Sequence, residues 1–441
     1  MNSFAGLFKT RTCDGVDYAK LYVEGLVTAA PRKNMERMDE HLGAGMYQNV
    51  QQFISASPWD ERPVYDKIAQ RANRRLGDMP ESCLGIDEVG HSKKGDKSVG
   101  VARQYNGRLG KQDNCQVGVH SALICGTRAA IIGSRLLLPQ DWSSDLPRCL
   151  KAGVPLAEIK ERSKLDLALE LIDQAVEQGV QFACVVFDAF YGRDSQLRES
   201  IHQRGLIYCA EVPSDTNVFI TEPTTPTRPK QIKQHTRSVS DLAAEMARSA
   251  KGKTTVRLRE GENGIVQVEA WAQRIWVWPE GLPCREQWLL VRRMSDGELK
   301  TTLCNAGAST PIKRMVQWQA SRFQIERAFQ DAKSHLGMGQ YQARGWLAWH
   351  HHMVLVAMAL LFVMEQRLAQ AEGALSMMSA RDVVEMLDWC LTKPRSAEQV
   401  MTRLQARHAQ RRRNAVTAQR RKRKELGLPR LRKSRRSKVT K

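Results

Sequence analysis

Three acidic side chains define the chemistry this sequence could carry. Asp87 closes the apolar run Cys83-Leu84-Gly85-Ile86, and Asp188 closes the apolar run 181–187. A carboxylate at the point where a chain leaves a sheet is well placed to hold a hard cation. Mg²⁺ takes oxygen ligands at ~2.0–2.1 Å and keeps waters and substrate phosphate oxygens in its shell. Two such ions ~3.5–4 Å apart can activate an attacking oxygen and stabilise a leaving one in phosphodiester displacement. That pair needs a third carboxylate, and Glu326 can supply it. Drawn on a helix at ~100° per residue, Gln319 falls at ~+20°, Arg322 at ~−40° and Lys333 at ~−20° from Glu326. Ile325, Phe329, Ala332 and Leu336 form a separate apolar stripe suited to packing on a sheet. An acid flanked by Arg and Lys is an arrangement for gripping phosphate beside a metal ion.

Each residue also has a plainer reading. Asp87 alone could cap a turn, Asp188 could be a helix N-cap, and Glu326 could be the i, i+4 partner of Arg322 on a solvated helix. Lys93, Lys94, Lys97 and Lys111 either line a nucleic-acid path or are simply solvated. Trp271, Trp276, Trp278 and Trp288 could include a base-stacking residue, against a default of core packing. Adjacent histidines on a helix point in different directions, so His350-His351-His352 reads as packing beside Trp346 and Trp349 rather than as a zinc site.

The elements that must position these residues follow from periodicity. Helical spacing runs from 35 to 75, with a break at Ser57-Pro58-Trp59-Asp60. Strands are expected at 83–87, 98–105 and 114–125, then a helix at 163–178, a strand at 181–187 buried on both faces, a helix at 195–204 and a strand at 206–212. Segment 221–229 reads as a loop, and strands recur at 254–260, 265–277, 287–293 and 299–304. Helical periodicity returns from 316 to 368. Three meander strands followed by β-α-β crossovers describe an α/β fold, a mixed sheet flanked by helices of RNase H-like order. The expected divisions are an N-terminal helical domain (1–78), a first part of the core (79–212), a β-rich insertion (213–315), core helices (316–400) and a basic tail (401–441).

Composition narrows the partners. The 441 residues carry a net charge of +21, which points to a polyanion, nucleic acid ahead of an acidic membrane surface. Most of that surplus sits after residue 400, where 17 Lys and Arg face Glu425 alone. Non-specific DNA contact is the favoured reading of this tail, against a merely solubilising extension. The ten cysteines form no CxxC pair, as expected of reduced, buried thiols. The N-terminus lacks a signal-peptide core, and the apolar stretch 353–364 is too short to span a bilayer. A bacterial cytoplasmic, nucleoid-associated location is expected, with no membrane partner.

The sequence resembles the bacterial DDE transposases of the insertion-sequence-4 and insertion-sequence-701 type. The resemblance rests on Gly85-Ile86-Asp87, Ser92-Lys93-Lys94-Gly95, Ser98-Val99-Gly100-Val101, Gln104-Tyr105, Leu109-Gly110-Lys111, Asn114 to Val119, Phe187-Asp188-Ala189-Phe190-Tyr191-Gly192 and the Arg322/Glu326/Lys333 helix. It spans about residues 35–370. It implies that Asp87, Asp188 and Glu326 are catalytic and hold two Mg²⁺ ions, with Mn²⁺ able to substitute. It further implies cleavage at terminal inverted repeats, strand transfer into target DNA, N-terminal helices that read the repeat, and a homodimer on paired ends. Arg322, Lys333, Lys93, Lys94, Lys111 and Tyr191 become DNA-binding candidates. One position departs from the family signature, where the slot of its leading tyrosine holds Gln319. The rival readings are an RNase H-like nuclease without strand transfer, a non-catalytic DNA-binding derivative, and an RNA-binding protein acting through the tail.

Overall fold

The computed structural model describes residues 2–370 except 12, 31, 43, 108, 224–235 and 262–263, then 378–391 and scattered positions between 401 and 420. Most of the arginine-rich tail, and the greater part of the loop expected at 221–229, lie outside the described residues. The chain opens with helices α1 (Val16–Val27), α2 (Met35–Leu42), α3 (Tyr47–Ser55) and α4 (Arg62–Leu76). Helix α1 precedes the region read as helical from sequence. Its buried Ala19, Tyr22, Val23 and Leu26 follow the i, i+3, i+4, i+7 spacing that reveals it.

Next come β1 (Cys83–Ser92), β2 (Ala102–Asn106), β3 (Lys111–Cys125) and β4 (Arg128–Leu136). The short helices α5 (Gln140–Ser143) and α6 (Leu146–Lys151) lead to α7 (Lys164–Glu177), β5 (Cys184–Phe187), α8 (Ala189–Gly192), α9 (Ser195–Gln203) and β6 (Tyr208–Glu211). The strands lie in the order β4-β3-β1-β5-β6; β3 is antiparallel to β1 and β4, while β1, β5 and β6 run parallel. This is the RNase H-like order expected from sequence, but its meander differs in one strand. The segment 98–105 contributes only β2, which pairs with the outer end of β3. The meander is completed by β4, across the two-residue turn Gly126-Thr127. Gly126 alone takes a positive φ there, as the first position of a II′-type hairpin requires. Recognising this Gly-Thr turn between two apolar runs would have placed β4.

The segment that follows holds β7 (Asn217–Val218), β8 (Arg237–Ser238), α10 (Val239–Arg248), β9 (Thr254–Gly261), β10 (Gly264–Val277), β11 (Arg285–Arg293) and β12 (Leu299–Cys304). Helix α10 lies in the segment expected to be β-rich, at residues for which no element was expected; Ser238 caps it by accepting from the Asp241 amide, and Val239, Leu242 and Ala243 are buried. Strand β12 pairs antiparallel with β6, so the core sheet continues through β12, β11, β10 and β9 as one ten-stranded sheet.

Helices α11 (Ile312–Ser321), α12 (Phe323–His335), α13 (Trp346–Ala369) and α14 (Ala380–Leu391) complete the described chain. Helix α13 is longer than the apolar stretch read from sequence: its 24 residues would suffice to cross a membrane, but 89% of its most apolar window is buried inside the protein. It is the central core helix. Its three histidines diverge as expected, His350 to the Trp346 carbonyl, His351 between the carbonyls of Ile54 and Trp59, and His352 to the Tyr22 hydroxyl and the Met338 carbonyl.

Burial favours the neutral form of these imidazoles, in which His351 donates to one of its two carbonyl neighbours. It holds His120 and His352 at about 3 and His351 at about 4, against an ordinary 6.5. The unfolded chain therefore binds protons below pH 6.5 that the folded chain refuses. Stability is fully present above that pH and falls as pH drops toward 4, by up to ~1.4 kcal/mol per pH unit for each histidine. Thermal melts at pH 7.5 and 5.5 should show a clear drop in Tm at the lower pH; an unchanged Tm would contradict this account.

Candidate active site

Strand β1 does not end at Asp87; it continues to Ser92 along β3. What ends there is its parallel neighbour. The β1–β5 register pairs Gly85 with Val186, and its continuation sets Asp87 level with Asp188, the first residue after β5. The two carboxylates thus meet where β5 leaves the sheet. Asp87 Oδ1 accepts from the Glu88 amide at 2.7 Å. Asp188 is the N-cap of α8, its Oδ1 accepting from the amides of Phe190 (3.0 Å) and Tyr191 (3.4 Å). The capping reading is therefore realised, and it fixes the carboxylate while Oδ2 stays outside these bonds.

Electrostatics records their proximity. Burial, then the Asp188 charge, then Glu88 push the Asp87 carboxyl well above the usual range, with Arg322 opposing. Burial and Glu88 raise Asp188, again against Arg322. A raised folded-state pKa means stability present at low pH is lost as pH rises through it, so at neutral pH these charges weigh against the fold. Asp188→Asn keeps a capping oxygen and removes one charge. It should raise Tm in metal-free buffer while DNA cleavage is lost; a lower Tm would refute the repulsion.

Glu326 enters from α12, which packs on the Asp87 face of β1. Ile325 of α12 packs over Gly85, where an added methyl would meet it at ordinary contact distance and crowd only the Ile124 side chain of β3. Ile325, Phe329, Ala332 and Leu336 are all buried, as the helical drawing requires. The helix expected through 319–333 is interrupted at Arg322, between α11 and α12, although Arg322 keeps helical angles. Glu326 remains partly exposed and is gripped by Arg322, with Nη2 to Oε1 at 2.5 Å. The Arg322 Nε also lies 3.4 Å from Oε1 of Glu211, the last residue of β6. Burial pulls the Arg322 pKa down, but the carboxylates of Glu211, Glu326 and Asp87 outweigh it and hold the guanidinium charged.

Lys333 lies on the same helix with its ammonium 5.8 Å from the Phe329 ring. Lys93 caps the Tyr341 ring at 3.5 Å, and burial lowers it to about 8. Both charges bear on buried His91, so these two lysines converge beyond Asp87 along β1. Lys94 and Lys111 are exposed and do not join them. Asp87 pairs with His120, and Lys111 lies nine residues back along β3, or ~30 Å at ~3.3 Å per residue. Tyr191 departs from its expected role: it is fully buried against Phe187 and Phe190, so it offers DNA no surface and serves the Asp188 turn instead. Gln319 is buried too, donating to Thr302 Oγ1 at 2.6 Å. Trp271 is a core residue, while Trp276, Trp278 and Trp288 are half-buried.

Glu211 and Glu88 were not singled out from sequence. Glu211 had a usable signal, since it is a third acid at the end of a parallel strand. A cleft of about 800 Å³ opens beside Arg322 and Glu211, between α11 and β10–β12, lined also by Arg292, Lys300, Lys313 and Arg314. It does not reach Asp87 or Asp188.

The donor set fits a hard divalent cation in its Asp87–Asp188 half, where two carboxylates are forced together in a partly buried site. Among the described residues no three acidic, histidine or cysteine side chains converge on one ion position. Glu326 is held instead by the Arg322 guanidinium, whose charge also acts on both aspartates.

Comparison with known proteins places the chain among relatives. Residues 4–274 match the family model described as "DDE superfamily endonuclease". The chain is 30% identical over 174 residues to the probable transposase for insertion sequence element IS701 of Microchaete diplosiphon, an alignment covering 39% of this chain and 42% of that protein. The structure was also matched to the piggyBac transposase synaptic complex with hairpin DNA, at a TM-score of 0.39 and 11% identity over 91% of this chain and 77% of that one. The sheet order and the family match, which covers more than half the chain, give one assignment: this protein belongs to the DDE superfamily of endonucleases.

Proposed function

We propose that the protein is a transposase that cuts double-stranded DNA at the terminal inverted repeats of an insertion sequence and transfers the freed ends into target DNA. The observation that carries this reading is the level placement of Asp87 and Asp188 at the β5 exit, with Glu326 one arginine away. Asp87, Asp188 and Glu326 would hold two Mg²⁺ ions, or Mn²⁺ in their place. When bound, such ions activate the attacking water or 3′-hydroxyl and stabilise the departing oxygen. Arg322 and Lys333 grip the phosphate undergoing displacement, and Lys93, half-desolvated on Tyr341 and six residues beyond Asp87 along the chain, contacts the backbone farther along the duplex. Lys94, exposed just past the end of β1, and Lys111, exposed at the start of β3, carry flanking duplex, whose binding weakens steeply as salt rises. The N-terminal helices read the repeat, the basic tail adds sequence-independent grip, and a homodimer pairs the two ends.

The test is cleavage of DNA bearing the element's ends with Mg²⁺, run beside Asp87→Ala, followed by incubation of pre-cut ends with target DNA. Cleavage and end joining are both expected from the unaltered protein and neither from the variant. Cleavage without joining would reduce the protein to a nuclease. Binding without either reaction would make it a non-catalytic derivative.

A further inference from the structure

We propose that Glu211 is a positioning residue for the third carboxylate, acting through Arg322, which competes with a divalent cation for Glu326. This rests on the reading of Asp87, Asp188 and Glu326 as the metal-holding set, and it adds a residue that the reading does not need.

The geometry places Glu211 at a junction. Its side chain is 13% exposed, and that of Arg322 only 11%, so their attraction is poorly screened by solvent. On one side it faces Arg322; on the other, Lys300 Nζ lies 3.9 Å away and the buried Arg292 guanidinium feels its charge. Its carbonyl oxygen abuts Gly192 so closely that a methyl on Gly192 would overlap it. Glu211 therefore joins the turn that fixes Asp188 to the arginine that fixes Glu326.

Arg322 has two carboxylate partners, and the contacts are unequal: 2.5 Å to Glu326 and 3.4 Å to Glu211. A cation entering beside Asp87 and Asp188 can recruit Glu326 only if the guanidinium lets go. Releasing a buried guanidinium without another anion leaves it unpaired, which is strongly unfavourable. Glu211 supplies that anion. It receives Arg322 when Glu326 turns to the metal, and it keeps the positive charge beside the site, available to a phosphate.

The two partners should therefore shift metal affinity in opposite directions. Mn²⁺ binding to the full-length protein without DNA, followed by electron paramagnetic resonance, reads this directly and needs no turnover. Arg322→Gln removes the competitor, so Kd should fall by roughly tenfold, ~1.4 kcal/mol. Glu211→Gln leaves Arg322 with Glu326 alone, so Kd should rise by a similar factor. The double variant should behave like Arg322→Gln, because Glu211 acts only through the arginine. If Glu211 merely lent a distant negative charge, the double variant would bind more weakly than Arg322→Gln, and the proposal would fail. Single variants shifting the same way, or not at all, would also overturn it. Should Glu211→Gln melt early, Glu211→Asp carries the test, with a smaller rise in Kd from its shorter reach. An Asp87→Asn control separates the two levels: if it leaves Mn²⁺ affinity unchanged, the metal-site reading itself falls and takes this proposal with it.

Discussion

Asp87→Ala and Asp188→Ala are each expected to reduce metal-dependent DNA cleavage by roughly a thousandfold or more. Loss of a charge-stabilising contact at a phosphoryl centre is worth several kcal/mol, and every ~1.4 kcal/mol is a factor of ten in rate. The loss should not be traceable to unfolding. Both carboxylates are pushed toward their protonated forms by burial and neighbouring acids, so removing either relieves repulsion, which in Asp188→Ala offsets the ~0.5–2 kcal/mol lost with the α8 cap. Circular dichroism at neutral pH should show a native melt for both variants. Glu326→Gln should lose cleavage as well, with Arg322 left to Glu211. Cleavage rates of purified variants on end-bearing DNA check all three, and a variant within tenfold of the unaltered rate would remove that residue from the site.

Gly192→Ala should be the most damaging single methyl near the acids. Gly192 ends α8, four residues after Asp188, and its α-carbon lies against the Glu211 carbonyl oxygen. The obstacle is backbone, which no rotamer change clears. Either α8 shifts or β6 bends, and both moves displace Asp188 from Asp87. Overpacking of this kind typically destabilises by ~1–3 kcal/mol, while a displacement of ~1 Å in a reacting geometry can lower a rate by ~100-fold. A lowered Tm together with a loss of cleavage larger than the loss of folded protein is the expected result. Full activity in Gly192→Ala would show that the turn after β5 does not set the geometry of Asp188.

Much of this arrangement is legible in the chain itself. The run 181–187 is apolar on both faces because β5 is central, and all four of its strand residues are buried. The stripe through Ile325, Phe329, Ala332 and Leu336 gives both the existence of α12 and the side that meets the sheet. Strand lengths are less legible. β1 continues five residues beyond Asp87 because β3 pairs with it there, and partner strands do not show in a local pattern. β4 is the easier case, since the Gly126-Thr127 turn announces it and its apolar residues Ala129 to Ile132 lie unbroken between Arg128 and Arg135.

Side-chain alliances are harder still. Arg322 and Glu326 are visible as an i, i+4 pair, but Glu211 is 111 positions earlier and meets them only through the parallel order of β5 and β6. Tyr191 illustrates the opposite error. Its neighbour Phe190 is 49% exposed while Tyr191 is fully buried, a distinction set by the capped turn of α8 and not by residue type.

The join between β6 and β12 carries a mechanical consequence. Backbone bonds run without interruption from β4 to β9, so the outer strands and the two aspartates belong to one sheet, with neighbouring strands ~4.8 Å apart. Among the described strands the ladder offers no gap about which an outer arm could swing onto a ligand. In the proposed complex, adaptation would then fall on the softer partner, the nucleic acid bending, kinking or unstacking to meet a surface already set.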